Sequence, residues 1–522
     1  MPQPLTGWKP VLRSCGLGLG KISPVRSVWA VLVSFLASLC VAQKPNVVVI
    51  LADDLGYGDI RAYNAASKIP TPNLDRLAEE GLRFTDAHSP SAVCTPTRYG
   101  LLTGRYAWRT RLKSWVLNGS SRSLIDPGTP TIASRLQAAG YRTAVVGKWH
   151  LGLGTTQPAD YSARFDQGPH TVGFDESYII PASLDMPPYG YVVDGLMQEQ
   201  PTAETPGDTM RRNGGGGFWR KGAMSPSFDF YRVLPNVADQ AVELIERQGD
   251  DPFFLYMPLP APHTPWMPIE RFRGKSGAGW YGDFVVQVDY TVGQVVQALR
   301  SAGKLDDTLL IFTSDNGAHW LPRDIEQFGH RANADWRGQK ADIHEAGHRI
   351  PFIMRWPGRI EEGGRFDGLV GLNDLYATIA EAVGLQLSDE EAPDSRSFLR
   401  AAMGETGARI RRQLVHHSAD GMFALRVGHW KYIEGLGSGG FTQPARIEPK
   451  PGGPQGQLYD LATDPGETNN LWLERPELLE SMARLLNSIK KNESPHTIDP
   501  RPSKKANGAI AREPPSPALN LS

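Results

Sequence analysis

Four apolar runs in this chain stop abruptly at charged or hydrogen-bonding residues, and that pattern limits the fold more than any other feature. Residues 46–51 (NVVVIL) run into Asp53 and Asp54, 143–146 (TAVV) into Lys148 and His150, 253–257 (FFLYM) toward His263, and 309–312 (LLIF) into Asp315 and Asn316. Short β-branched runs without polar alternation are the mark of strands buried on both faces. Helical patterns lie between them: 71–80, opened by Thr71-Pro72 and stopped at Gly81; 130–139, closed by Gly140; then 236–247, 283–302 and 373–383. Strands alternating with helices predict an α/β domain with a large, mostly parallel central sheet flanked by helices. Ligands of such sheets bind beyond the carboxyl ends of the strands, which is where the polar clusters fall.

One more strand is expected over 349–356, and 151–228 reads as loop-rich, with glycine at every position from 214 to 217. Near residue 415 the pattern changes. Short strands over 422–427, 429–433 and 457–461, Gly-rich turns and a helix over 476–490 predict a smaller C-terminal α+β subdomain with an antiparallel sheet. The expected division is a leader over 1–42, a catalytic α/β domain over 43–414, the subdomain over 415–490, and a disordered Pro-, Lys- and Ser-rich tail over 491–522. A chain of 522 residues has ample length for these units. Its formal net charge of −1 argues against wholesale binding to nucleic acid or membrane and leaves room for a local basic pocket.

The leader reading rests on Arg26, an apolar run over 28–39, and a small-x-small pattern, Cys40-Val41-Ala42, before Gln43. The run is short for a membrane span, so no stable span is expected and the protein is expected to be exported, to periplasm or beyond the cell. Cleavage there removes Cys15 and Cys40 and leaves Cys94 as one unpaired thiol in an oxidising compartment. A buried core cysteine is the bland explanation. The setting, Cys94-Thr95-Pro96-Thr97-Arg98, is neither an apolar strand nor an apolar helix face and favours a chemically special residue.

Asp53, Asp54, Asp315 and Asn316 offer oxygen donors at two strand ends, which hard cations such as Ca²⁺ or Mg²⁺ prefer and Zn²⁺ does not. Taken singly, each is also a capped turn. Lys148 and His150 fall on one face of an extended segment and suit an anionic substrate. His263 sits in a stiff Pro-rich loop. His344-Glu345-Ala346-Gly347-His348 matches the HExxH zinc pattern formally, but Gly347 inside it and Arg349-Ile350-Pro351 behind it point to a loop entering a strand, and the match is set aside. The basic loop from Arg211 and Arg212 to Arg220 and Lys221 is equally a contact for a polyanion or a solvated loop.

Taken together, these segments resemble the type I sulfatases, the formylglycine-dependent, arylsulfatase-like branch of the alkaline-phosphatase superfamily. Cys94-Thr95-Pro96-Thr97-Arg98, continued to Gly104, is similar to that family's C-x-P-x-R signature, and Gly140 to Gly152 to its second signature. Ser314 to Gly317, Arg337 to Lys340, and Leu458 to Glu467 extend the likeness over nearly all of the mature chain. The resemblance implies that a formylglycine-generating enzyme oxidises Cys94 to an aldehyde, which hydrates to a geminal diol. It implies Ca²⁺, ahead of Mg²⁺, held by Asp53, Asp54, Asp315, Asn316 and the residue-94 oxygen. It further implies that Asp315 relieves one diol oxygen of its proton as that oxygen attacks sulfur. His263 and Lys340 would contact the sulfate and assist the leaving alcohol, His150 would deprotonate the second hydroxyl, and Arg98 and Lys148 would orient the diol. The 178–191 loop, with Ser183 as a substrate contact, is similar to that of members acting on carbohydrate sulfates, so the expected substrate is a sulfated sugar with a 6-sulfated galactose or N-acetylgalactosamine unit. Where many relatives carry Trp-Glu-Gly-Gly, this chain has His344 to Gly347, a departure expected to touch substrate preference. Two rivals stand: a phosphate or phosphonate ester hydrolase on the same scaffold, and a silent sulfate-binding protein with Cys94 unmodified.

Overall fold

The structure, a computed structural model, describes residues 44–208, 218–388 and 390–491. The expected leader with Cys15 and Cys40, the loop residues 209–217, and the expected tail from residue 492 lie outside the described residues.

The apolar runs become the middle of a ten-stranded mixed sheet. Its strands are β1 (Asn46–Ala52), β2 (Leu82–Phe84), β3 (Arg142–Lys148), β4 (Glu176–Ile180), β5 (Val192–Val193), β6 (Leu196–Met197), β7 (Phe253–Pro258), β8 (Thr308–Ser314), β9 (Phe352–Arg355) and β10 (Gly364–Phe366). Across the sheet the order is β10-β2-β9-β8-β1-β7-β3-β4-β5-β6. The central block β8-β1-β7-β3-β4 is parallel throughout, and antiparallel pairs begin at β9 on one side and β5 on the other. The mostly parallel expectation therefore holds for the strands that carry the polar clusters. β9 covers the middle of the strand expected over 349–356. β4, β5 and β6 emerge from the stretch expected to be loop.

β1 is buried at every position, and its side chains divide between two cores by their alternation. Val47, Val49 and Leu51 join one core with the helices Ile132–Ala138 and Leu375–Ala382. Val48, Ile50 and Ala52 join the other with Pro72–Glu79, Val233–Glu246 and Gly279–Ser301. The result is helices on both faces of one sheet, the arrangement that unbroken apolar strands require.

The C-terminal part is a four-stranded antiparallel sheet, β11 (Gln413–His417), β12 (Phe423–Val427), β13 (Trp430–Ile433) and β14 (Gln457–Asp460), in sequence order. β11 had no counterpart in the sequence reading. Helix Pro476–Lys490 lays Met482, Leu485, Leu486 and Ile489 against this sheet at i, i+3, i+4 and i+7, and burying each stabilises by about 2 kcal/mol. Tyr106 and Trp108 of the larger body belong to the same apolar cluster, so the two sheets share packing. Among the described residues no helix is long and apolar enough to cross a membrane.

Candidate active site

The polar clusters meet because the ends of β1 and β8 are tied together. Asp315 donates its backbone N–H to the carbonyl of Ala52 at 3.0 Å, Asp54 donates its own to Asp315 Oδ1 at 3.1 Å, and Leu55 donates to Ser314 Oγ at 3.0 Å. Asp54 takes a left-handed backbone, φ 64°, to make this turn. Asn316 Nδ2 donates to Asp54 Oδ1 at 2.7 Å and leaves its own Oδ1 buried with no hydrogen-bond partner.

Cys94 is the first residue of the helix Cys94–Thr103. Its Sγ stands 3.6 Å from Asp53 Oδ1. Burial pushes the thiol far up, more than the neighbouring lysines Lys148 and Lys340 pull it down, so an unmodified Cys94 stays protonated and is a poor nucleophile. Arg98, one turn on, grips Asp315 Oδ2 with Nε and Nη2 at 3.0 and 2.8 Å and donates Nη1 to the carbonyl of Lys148 at 2.8 Å. One fully buried guanidinium thus fixes β8, β3 and the helix to one another.

Two lysines pair with the two adjacent aspartates: Lys148 Nζ lies 2.6 Å from Asp53 Oδ2 and Lys340 Nζ 2.7 Å from Asp54 Oδ2. His263 Nε2 is 3.6 Å from the same Asp54 oxygen, while its Nδ1 donates to the carbonyl of Thr264 at 2.5 Å. Burial alone would raise both aspartates, but the cations around them, Lys148 first for Asp53 and Lys340 first for Asp54, hold the two carboxyls low. Asp315 goes the other way, raised by burial and by the charge of Asp53 despite Arg98. The same fold therefore holds two ionised carboxylates beside a third that can carry a proton, a split typical of acid–base sites.

His150 reaches the site by a route different from strand alternation. β3 ends at Lys148, and His150 follows with φ 56°, its N–H donated to the carbonyl of Pro181 at 3.0 Å. Its Nε2–H donates to the carbonyl of Leu117 at 2.7 Å, and its Nδ1 is buried without a partner. Burial, then Lys148 and Arg98, keep the imidazole neutral, so Nδ1 offers a free lone pair. Thr95 supports this geometry from both sides: Oγ1 donates to the carbonyl of His150 at 3.0 Å and accepts the Leu117 N–H at 3.2 Å. Ser183 follows two residues after Pro181 and is buried, its Oγ without a partner. Leu117 is the site-forming residue that the sequence did not reveal, and Thr95 and Ser314, though inside the segments that carry the resemblance, had no expected role. Leu117 acts through its backbone and the other two through hydroxyls that meet distant backbone groups, so no local pattern marks them.

Ligand atoms of Asp53, Asp54, Cys94 and His263 lie within 4.8 Å of one another, and Asp315 and Asn316 adjoin them. This carboxylate and amide oxygen set, together with the orphaned Asn316 Oδ1, fits a hard divalent cation.

The HExxH histidines go to separate partners. Residues 345–348 form a single helical turn, Glu345–His348, where a loop was expected, with His344 just before it. His344 Nε2 meets Gln457 Oε1 at 3.1 Å. His348 joins a second buried group with His88 and His416. Lys431 Nζ reaches His348 Nε2 at 3.1 Å, His348 Nδ1 meets His88 Nδ1 at 3.0 Å, and His88 Nε2 meets Asp86 Oδ1 at 2.8 Å. With one proton per ring this reads as a satisfied chain from ammonium to carboxylate. Glu345 and Glu467 pair with the same Lys431 at 3.1 and 2.8 Å, tying the helical turn to the smaller sheet.

Residues 45–385 match the family model described as Sulfatase. The chain is similar to the N-acetylgalactosamine-6-O-sulfatase of Bacteroides thetaiotaomicron, 35% identical over 86% of this chain and 94% of that protein. It is similar to human arylsulfatase A, 32% identical over 87% and 90%. A solved Bacteroides thetaiotaomicron structure, described in connection with the metabolism of multiple glycosaminoglycans, superposes with a TM-score of 0.76 at 34% identity, covering 86% of this chain and all of that one. The Pseudoalteromonas sulfatase PsFucS1 superposes with a TM-score of 0.68 at 26% identity, covering 91% and 95%.

Proposed function

The chain belongs to the sulfatase family and is a sulfuric ester hydrolase, and on that premise we propose that it cleaves sulfate monoesters of carbohydrate, with Cys94 converted to formylglycine and calcium held between β1 and β8. A 6-sulfated galactose or N-acetylgalactosamine unit is the proposed substrate, by similarity to the Bacteroides relative. A formylglycine-generating enzyme is the proposed maturation partner and an exported state the proposed location.

The observation that carries the reading is the placement of the buried Cys94 Sγ, 3.6 Å from Asp53 Oδ1, among the ion pairs of Lys148 with Asp53, Lys340 with Asp54 and Arg98 with Asp315. In this structure Cys94 Sγ stands where a hydroxyl oxygen of the hydrated aldehyde would lie. When bound, the cation supplies Lewis-acid charge, and the modified side chain supplies hydroxyl groups in place of the thiol. Asp53, Asp54, Asp315 and Asn316 would hold that cation, Asn316 through its unpartnered Oδ1.

The surrounding residues supply the rest. Asp315 is the proposed acceptor of the proton released at residue 94, its Oδ2 held in place by Arg98. Arg98 and Lys148 keep the reacting side chain fixed between Asp315 and Asp53. Lys340 and His263 converge on one Asp54 oxygen and so face one position from two sides, where charge develops on the departing sugar oxygen. His263 Nε2 can deliver a proton there. His150 Nδ1, neutral and unpartnered, is the base for the second half of the reaction. Ser183 Oγ is a free hydroxyl for the sulfate or the sugar.

The test is a comparison of kcat/KM on defined sulfated mono- and oligosaccharides, with matched aryl sulfate and aryl phosphate. Turnover of a 6-sulfated galacto-configured sugar is expected to lead. Activity confined to aryl sulfates removes the sugar assignment, and a preference for the phosphate ester overturns the sulfate reading. An unmodified thiol at Cys94 in an inactive preparation leaves a protein that binds sulfate without cleaving it.

A further inference from the structure

Left-handed backbone at a non-glycine residue costs free energy, persists only where the surrounding structure enforces it, and clusters at functional sites. Asp54 and His150 adopt it inside the site, at φ 64° and 56°, and Ala341, which follows Lys340, does so at φ 76°. Trp115 does so at φ 58°, and for a bulky side chain this is a marked outlier. The indole it holds is 49% exposed, among the most exposed large apolar side chains of the described residues. Beside it lies Phe441, 38% exposed, with ring centroids 6.3 Å apart and planes inclined by 38°. His319 stands edge-on to Phe441 at 5.1 Å.

Each of these rings is mounted on a segment that also carries site residues. Trp115 lies two residues before Leu117, whose carbonyl anchors His150, and its N–H is held by the carbonyl of Ala419 at 2.6 Å. Val116, Val93, Ala341 and Ala419 form a small apolar cluster directly behind Cys94 and Lys340. Phe441 follows Gly440, which approaches Ala341 so closely that a Cβ there would stand 2.3 Å from its carbonyl oxygen. His319 lies four residues after Asp315 and meets Gln339 Oε1, next to Lys340, at 2.9 Å. The rings thus stand on segments that adjoin those of Cys94, His150 and Lys340, and the close backbone contacts of those segments hold them in place.

We propose that Trp115 and Phe441 form an aromatic platform that receives the face of a pyranose ring of the substrate, next to the sulfated ring. Exposed, paired aromatics supply large apolar area at small entropic cost, and the C–H faces of a sugar complement them. The proposal rests on the carbohydrate reading above and adds to it that the enzyme senses more than one sugar unit.

The experiment measures kcat/KM for a 6-sulfated monosaccharide and for an oligosaccharide ending in the same sulfated unit, in the wild type, Trp115→Gly, Trp115→Phe and Phe441→Ala. Glycine tolerates the left-handed backbone while removing the side chain, ring included. The expected result is a wild-type preference for the oligosaccharide that falls about tenfold in Trp115→Gly and Phe441→Ala, expressed mainly in KM, with Trp115→Phe retaining most of it; tenfold corresponds to ~1.4 kcal/mol of lost stacking. Equal losses on both substrates, or no change in their ratio, overturn the platform while leaving the sugar assignment standing. A wild type inactive on every carbohydrate sulfate overturns the substrate class, and the platform with it.

Discussion

Lys148 and Asp53 form a fully buried ion pair, Nζ to Oδ2 at 2.6 Å, that joins the ends of β3 and β1 although β7 lies between those strands. The pair therefore bridges across a strand, and it does so on the rim where Cys94 sits. Replacing Lys148 by methionine removes the nearest cation of buried Asp53 and leaves it Arg98 at 3.5 Å, a change that should cost about 3 kcal/mol, the lower end for a broken buried pair. A fall in Tm is expected with loss of turnover, and Lys148→Met with Asp53→Asn should recover much of the Tm and none of the activity. Thermal unfolding alongside a turnover assay separates the two.

Cys94→Ala should fold with nearly unchanged Tm, because the thiol makes one long contact, to Asp53. Its activity should fall by several orders of magnitude, roughly 10⁴–10⁶-fold, the scale on which enzymes lose a covalent nucleophile. Peptide mass spectrometry of active wild-type protein should find residue 94 as the aldehyde, and a thiol in fully active protein would contradict the mechanism.

Chelation of the divalent cation should abolish turnover and lower Tm. At a cation concentration 100 times Kd the ligand contributes ~2.7 kcal/mol to stability. Calcium should restore both quantities and zinc neither, since the donors are oxygens. Asn316→Leu should weaken this rescue by removing the one donor oxygen left without a protein partner.

The buried histidines set an acid limit on stability. His344 is held down to about 3 by burial and then Arg337, and His417 to about 4 by burial. His88, His348 and His416 are lowered as well, burial being the main cause in each. In the unfolded chain these rings take up protons below about pH 6.5, whereas the folded state keeps them neutral. The unfolded state binds more protons, so stability falls as pH drops from about 6.5 toward 3–4. Tm against pH should decline over that window, and His417→Gln should flatten it by one proton's worth. A Tm that rises on acidification would refute the neutral assignment.

Gly147 adopts φ 137° immediately before Lys148, and a Cβ there would lie 1.9 Å from the carbonyl oxygen of Pro258. Gly147→Ala must push β3 away from β7 and should cost about 1–3 kcal/mol. Because Lys148 moves with it, kcat should fall more than the stability loss explains. Circular dichroism melts with kinetics below the melting range provide the check.

The four apolar runs were legible because strands buried on both faces carry their burial in composition, and the helices 72–79 and 476–490 because a proline opens each one. The candidate site residues stood out for a related reason, since each follows a strand end or sits in a short signature. β4 was hidden because Glu176–Ile180 begins with Glu-Ser-Tyr, polar enough to pass for loop. β11 was hidden because Gln413–His417 ends in two histidines, of which His416 packs against His88 and His348 and His417 against Phe423, contacts no local pattern reveals. The tautomer of His150 was unreadable in principle, being set by a carbonyl 33 residues away in the chain. The left-handed turn that aims His150 likewise defeated the expectation that it shares a strand face with Lys148.

The contact between Glu345 and Lys431 has a further consequence for how the chain can be divided. Its glutamate stands in the helical turn just after Lys340, and its lysine belongs to the middle of the smaller sheet. Severing the polypeptide after residue 414 would take Lys431 and Arg426 away from Glu345, leaving it Arg349, and would bare Tyr106 and Trp108, which pack with the smaller sheet, so the upstream fragment alone should be insoluble or inactive. The two fragments expressed together should recover activity only as they associate, with a dependence on concentration that an independent accessory module would not show.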